Sequence, residues 1–263
     1  MTGRIEGLGI VVTRPRAAAD ALAAELAREG ARVWRLPALA IEPIEPDAAL
    51  ASLLGGLASF DLAIFVSANA VERGLAAARR FGQWPRELQA AAVGEATAAA
   101  LRGEGITDVV SPHDRHDSEA LLALPRLQAV RGQNIIVFRG QGGRGELRES
   151  LEARGARVTY AECYRRVRPQ ADAAPVVAAL GRGEVHAVSV LSGETLENFI
   201  AMVGAEGERA LARVALVVPH PAIAAHRDAG RFARVVVSGH GTEALVETLA
   251  LLKNENIAAD EHR

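Results

Sequence analysis

The chain has 263 residues, 49% of them hydrophobic and 24% charged, with a formal net charge of −2. That length accommodates two domains of ordinary size, and the near-neutral charge excludes the global basic field of a nucleic-acid binder. One cysteine, Cys163, excludes an internal disulfide and suits a reducing, cytoplasmic compartment; Met1 to Gly9 reads as neither signal peptide nor anchor, and no apolar run has membrane length, so no membrane partner is expected.

In chain order, Leu8 to Val12 is predicted as a strand, Ala17 to Arg28 as a helix with Leu22 and Leu26 inward, and Arg32 to Leu36 as a second strand. Gly30 stands where a helix C-terminal cap belongs. Ile41 to Pro46 carries two prolines and reads as an extended linker. Strands follow at Leu62–Val66 and Ala91–Val93. The strand–helix–strand unit then returns as Asn134–Phe138, Gly145–Arg154 and Arg157–Ala161. A second proline-bearing stretch spans Arg168 to Pro175, and further strands are Ala187–Leu191, Ala215–Val218 and Arg234–Val237. Lys253 to Arg263 is polar and reads as a frayed end. Short β-branched strands alternating with helices predict parallel sheets covered on both faces, hence an α/β fold.

The pattern is a duplication. Gly30-Ala31-Arg32-Val33 recurs 125 residues on as Gly155-Ala156-Arg157-Val158, and Ile10-Val11-Val12-Thr13-Arg14 answers Ile135-Ile136-Val137-Phe138-Arg139 at the same offset. Phe65-Val66-Ser67-Ala68 answers Val190-Leu191-Ser192-Gly193, and Ser118-Glu119-Ala120-Leu121 answers Thr242-Glu243-Ala244-Leu245. A repeat of this length is a whole domain, far beyond the roughly 20–50 residues of a solenoid unit. Two similar domains offer a cleft, the usual place for a ligand. The halves divide either near residue 130 or with the first strand–helix–strand unit joining the last part of the chain.

Several motifs bear on chemistry. Gly140-Gln141-Gly142-Gly143-Arg144-Gly145 fits G-x-G-x-x-G between a strand and a helix, with Glu162 after the next strand. Its counterpart Arg14-Pro15-Arg16 lacks glycines, and Arg139 and Arg144 crowd it with charge. Turn chemistry or a carboxylate site is therefore favoured over a nicotinamide site. Ser67-Ala68-Asn69 and Ser192-Gly193-Glu194 are placed as helix caps whose free N–H groups can also hold anions. Gly94 permits close backbone approach; His220, between Pro219 and Pro221, is either an anion donor or a surface residue. His113, His116 and Asp117 lack a second ligand pair, so no zinc site is expected. Tyr164 reads either as an interface filler or as a neutral proton donor.

The ordered set Val12-Thr13-Arg14-Pro15, Val66-Ser67-Ala68-Asn69-Ala70-Val71, Ala92-Val93-Gly94-Glu95-Ala96-Thr97-Ala98, Ser118-Glu119-Ala120-Leu121, Arg139-Gly140 through Gly155-Ala156-Arg157-Val158, and Tyr164 resembles uroporphyrinogen-III synthases over nearly the whole chain. The resemblance implies two similar parallel-sheet α/β domains joined by a two-stranded extended linker, with a ligand cleft between them. Residues 1–40 plus 170–263 would form one domain and 41–169 the other, with linkers near 41–46 and 166–175. It implies cyclisation of hydroxymethylbilane, a linear tetrapyrrole with eight carboxylates, to uroporphyrinogen III. The last ring is inverted through a spiro intermediate and water is lost, without metal or cofactor. Tyr164 matches the family's cleft tyrosine and would assist hydroxyl departure. Arg14, Ser67, Ser192 and the Arg139–Gly140 turn fall where the family holds carboxylates, and Asn69, Gly94, Arg144, Gly193 and His220 complete the expected substrate-binding set. The expected enzyme is a monomer that receives its substrate from the deaminase that makes it. The chain departs from the family pattern at Pro219-His220-Pro221 and at Gly193, where some relatives carry proline. A two-lobed, non-catalytic small-anion binder and a dinucleotide-dependent oxidoreductase are the alternatives.

Overall fold

The computed structural model describes residues 3–112, 117–143 and 145–260. Its strands, in chain order, are β1 (Gly9–Val12), β2 (Arg32–Arg35), β3 (Ala40–Pro43), β4 (Leu62–Phe65), β5 (Gln89–Ala92), β6 (Val109–Val110), β7 (Asn134–Gly140), β8 (Arg157–Val167), β9 (Ala187–Ser189), β10 (Ala215–Val218) and β11 (Arg234–Val237). The helices are α1 (Arg16–Arg28), α2 (Ala48–Gly55), α3 (Ala68–Ala78), α4 (Glu95–Gly103), α5 (Ser118–Ala123), α6 (Pro125–Gln128), α7 (Glu146–Ala153), α8 (Ala174–Gly181), α9 (Gly193–Leu211), α10 (Pro221–Ala224) and α11 (Thr242–Asp260).

The chain divides into two compact units, Met1–Ala40 with Val167–Arg263, and Ile41–Arg166. In the first unit the sheet order is β11-β10-β9-β1-β2, and every strand pair is parallel. The three central strands β1, β9 and β10 are buried along their length because both faces are covered, whereas the edge strands β2 and β11 are only partly buried. Val11 faces a core built with Val176 and Leu180 of α8 and Leu196, Phe199 and Val203 of α9. Ile10 and Val12 face the opposite core with Leu22 and Leu26 of α1 and Leu245 and Leu249 of α11. Helix α9 is broken at Gly204, whose φ of 63° leaves the helical region. Helix α11 runs to Asp260, so the polar end expected from Lys253 is helical instead.

The second unit has the order β3-β8-β7-β4-β5-β6. Here Ala63 and Phe65 face a core with Leu54 of α2, Leu75 of α3 and Leu101 of α4. Leu62 and Ile64 face another with Leu121 of α5, Leu127 of α6 and Leu151 of α7. Phe65 and Phe138 stack with ring centroids 4.5 Å apart, which ties β4 to β7. The duplication in the sequence is a duplication of this sheet. Read with β1 or β7 as strand one, both units have the order 2-1-3-4-5, but strands three to five come first in the second unit and last in the first.

Gly30 and Gly155 hold corresponding helix-to-strand turns, with φ of 91° and 87°, a conformation L residues rarely adopt. The proline-bearing stretch from Ile41 begins in extended conformation, since Ala40–Pro43 forms the edge strand beside β8. Pro43 is tolerated there because it closes the strand on a sheet edge.

Candidate active site

In a doubly wound sheet, ligands settle outside the carboxyl ends of the strands, where the strand order reverses. That point lies between β1 and β9 in the first unit and between β7 and β4 in the second. The expected site residues Arg14 and Ser192 follow β1 and β9; Arg139–Gly140 and Ser67 close β7 and follow β4. The 125-residue offset therefore maps one switch point onto the other.

In the second unit a cavity of about 420 Å³ opens at this point, lined in part by Val66, Arg139, Gly140, Tyr160, Tyr164 and Arg166. Its wall is of mixed charge, since Asp117, Glu119 and Glu146 face it too. Tyr164 is only 2% exposed, and its hydroxyl lies 3.0 Å from Ser67 Oγ. Ser67 is the N-cap of α3, where its Oγ accepts the Ala70 N–H at 3.1 Å. Asn69 sits half-buried in the first turn of that helix, and Gly94 is the extended N-cap of α4.

Arg139 is 6% exposed, and its guanidinium stacks on the Tyr160 ring at 4.3 Å. Its Nε donates to the Gly140 carbonyl oxygen at 3.2 Å. A Cβ on Gly143 would fall 2.0 Å from an Arg139 nitrogen, so the glycine lets the turn lie directly on the guanidinium. Arg139 thus braces the glycine turn from beneath. Arg144 lies outside the described residues, as do His113 and His116.

The same turn argues against a dinucleotide. The first turn of α7 carries Glu146 and Glu149, and a Cβ on its N-cap Gly145 would lie 2.8 Å from a Glu149 carboxylate oxygen. The Gly142 N–H reaches Glu162 at 3.4 Å. The chain's own carboxylates occupy the ground a pyrophosphate needs.

In the first unit, Ser192 caps α9 by accepting the Thr195 N–H at 3.1 Å, and a Cβ on Gly193 would meet the His226 ring at 2.8 Å. Thr13 Oγ1 donates to the Ser189 carbonyl oxygen at 2.7 Å and locks β1 to β9. Arg14 lines a cavity of about 220 Å³ with Ser189, Ser238, His240 and Thr242. Its Nε is buried without a hydrogen-bond partner, and burial lowers its pKa from the ordinary guanidinium value. A desolvated guanidinium with an open donor is suited to an anion. His240 and Thr242 are absent from the sequence-level candidates; Gly239-His240-Gly241-Thr242 before a helix was their available signal. His220 is exposed and spends its Nδ1 on the Ala222 N–H at 3.1 Å, capping α10. It does not itself line the cavity at Arg14, although its neighbour Pro219 does.

Among the described residues, Glu197, His226 and Asp228 bring potential metal-ligand atoms within 4.8 Å of one another. Arg227 bonds Glu197 and Arg231 bonds Asp228, which neutralises these carboxylates within the protein.

The comparisons with known proteins converge. The family model described as uroporphyrinogen-III synthase HemD matches residues 20–252. This chain belongs to the uroporphyrinogen-III synthase family. The synthase of Escherichia coli (strain K12) is 34% identical over 197 residues, covering 74% of this chain and 80% of that protein. The Salmonella typhimurium synthase is 37% identical over 192 residues, covering 73% and 78%. In fold, the chain resembles a mutant uroporphyrinogen III synthase from the extremely thermophilic bacterium Thermus thermophilus, with a TM-score of 0.58 and 18% identity over 97% of this chain and 100% of that one. It also resembles the synthetase from Helicobacter pylori 26695, with a TM-score of 0.56 and 15% identity over 93% and 98%. Membership makes the chain a lyase of tetrapyrrole biosynthesis that cyclises hydroxymethylbilane to uroporphyrinogen III. No helix among the described residues is long and apolar enough to cross a membrane.

Proposed function

We propose that anion donors at the carboxyl ends of the strands hold the carboxylates of hydroxymethylbilane while Tyr164 supplies the proton that starts ring closure. The observation that carries this reading is Tyr164, buried yet lining the cavity beside Arg139 and Gly140, with its hydroxyl 3.0 Å from Ser67 Oγ. As the hydroxymethyl C–O bond breaks, the departing oxygen takes the phenolic proton and leaves as water. The azafulvene so formed is attacked by the last pyrrole at its substituted carbon, giving the spiro intermediate. Fragmentation and reclosure invert that ring, and the proton lost on rearomatisation returns to the phenolate.

The substrate closes unaided to the uninverted isomer, so the protein's contribution is conformational control. Arg14 and the first-turn N–H groups of α3 and α9 are the donors best placed for carboxylates. Arg139 acts from beneath the turn. The units Met1–Ala40 with Val167–Arg263 and Ile41–Arg166 are taken as the two lobes of the enzyme. It works as a monomer in the cytoplasm, and the upstream deaminase hands its unstable product over directly.

The test supplies hydroxymethylbilane in situ from porphobilinogen and its deaminase, then separates the oxidised porphyrin isomers. Predominantly type III product supports the reading. Type I product alone, at the spontaneous rate, overturns it.

A further inference from the structure

We infer that Ser67 is a positioning residue that directs the Tyr164 proton, rather than a ligand for a substrate carboxylate. The inference rests on the reading of Tyr164 as proton donor. The 3.0 Å contact between Ser67 Oγ and the Tyr164 hydroxyl joins residues 97 apart in sequence.

Three features make the contact directive. Ser67 is extended, with φ −165° and ψ 164°, and its Oγ accepts the Ala70 N–H, so the oxygen is anchored to the helix. The Tyr164 ring is buried against Gly140, where a Cβ would lie 2.6 Å from ring carbon Cε2. The phenol cannot swing, and its remaining freedom is the torsion of the O–H. Ser67 sets that torsion. When the serine donates, the phenolic proton is left for an acceptor in the cavity, and the serine O–H stabilises the charge that grows on the phenolic oxygen. When the phenol donates, its proton is withheld. A leaving hydroxyl in the cavity favours the first arrangement.

The duplication supplies an internal comparison. Ser192, 125 residues on, also caps a helix, accepting the Thr195 N–H at 3.1 Å. Its hydroxyl partner is the neighbouring Thr195 Oγ1 at 2.9 Å, and the position answering Tyr164 is Leu39. Capping is common to both serines, whereas a phenol partner belongs to Ser67 alone of the pair.

The test compares Ser67→Ala, Ser67→Gly and Ser67→Thr, each alone and with Tyr164→Phe, in type III formation from hydroxymethylbilane and in thermal unfolding. Glycine is well tolerated as an N-cap, so Ser67→Gly removes the hydroxyl with little harm to the helix if the alanine variant folds poorly. Loss of the hydroxyl is expected to lower kcat roughly 10- to 100-fold, part of what a general acid contributes, with KM within about twofold. Threonine restores kcat. Combined with Tyr164→Phe, replacement of Ser67 adds no further loss. A raised KM with unchanged kcat overturns the inference in favour of a carboxylate ligand, and additive losses in the double variants show that Ser67 acts independently of Tyr164. If Tyr164→Phe itself is as fast as the parent, the proton-donor reading falls. If Tyr164→Phe is slow but Ser67→Gly is not, only the role of Ser67 falls.

Discussion

Gly140 and Tyr164 are register partners across β7 and β8, so close that a Cβ on Gly140 would lie 2.6 Å from the tyrosine ring. The pairing follows a register shift between Arg139 and Gly140, which brings Tyr164 rather than Cys163 opposite the glycine. The glycine is therefore part of the device that aims the phenol. Its main-chain freedom matters less here than the missing methyl group.

Gly140→Ala is expected to lower stability by about 1–3 kcal/mol through overpacking and to abolish most type III formation by displacing the ring. Gly74→Ala makes the matching control, because its Cβ would lie 2.6 Å from Phe138 Cδ1, within the core. That variant is expected to lose similar stability while keeping its kcat. Denaturant midpoints together with turnover decide the matter: equal loss of kcat in both variants would mean that the activity follows packing in general.

Cys163 gives a second handle on the same strand. Burial pushes its thiol up to about 12, far from the range where thiolate forms readily. Native protein at pH about 8 is expected to resist iodoacetamide for hours, while protein in denaturant is labelled within minutes. Mass spectrometry after timed quenching reads both rates. Rapid labelling of the native form would mean that β8 opens around Tyr164 far more often than its packing suggests.

The parts of this architecture legible in sequence were those governed by local pattern. β1 and β7 announce themselves by β-branched runs, Gly30 and Gly155 by their place after helices, and Ser67 and Ser192 by capping chemistry. β8 was only half legible. Its first residues alternate as a strand should and Arg157 to Ala161 reads as the strand, but the charge that begins at Glu162 obscures its end, which runs on to Val167. The Ser67–Tyr164 contact depends on which strands become neighbours, which periodicity does not encode. Arg139 shows the same limit. A charged residue after a strand reads as a ligand for anions, and no local pattern signals the aromatic ring and the glycine turn that pack against it.

Asp228 makes stability pH-dependent. Its carboxylate accepts from Arg231 Nε at 2.9 Å, and that bond, followed by the charges of Arg231, Arg227 and His226, holds its pKa below the ordinary 3.8. A depressed folded-state pKa adds stability that is fully present above the unfolded value and is lost as pH falls through the folded one. Urea midpoints measured from pH about 5 down to about 2.5 are expected to fall less steeply in Asp228→Asn than in the parent. Identical slopes would show that Arg231 gives this carboxylate no acid-linked stability.

Arg14 is expected to trade stability for binding. Its half-buried guanidinium has a buried Nε without a partner, and burial already disfavours its charged form. Replacing it by Met keeps the aliphatic stem and removes the desolvated charge, so ligand-free protein should melt at the same temperature or higher. If Arg14 meets a substrate carboxylate, the loss of one charge-assisted hydrogen bond, about 1.5–3 kcal/mol, raises KM roughly tenfold or more. The bond is made in ground and transition states alike, so kcat should change little. A lower melting temperature with unchanged KM would make Arg14 a structural residue of the β1–α1 turn and would shift carboxylate binding in this unit to the helix N-termini.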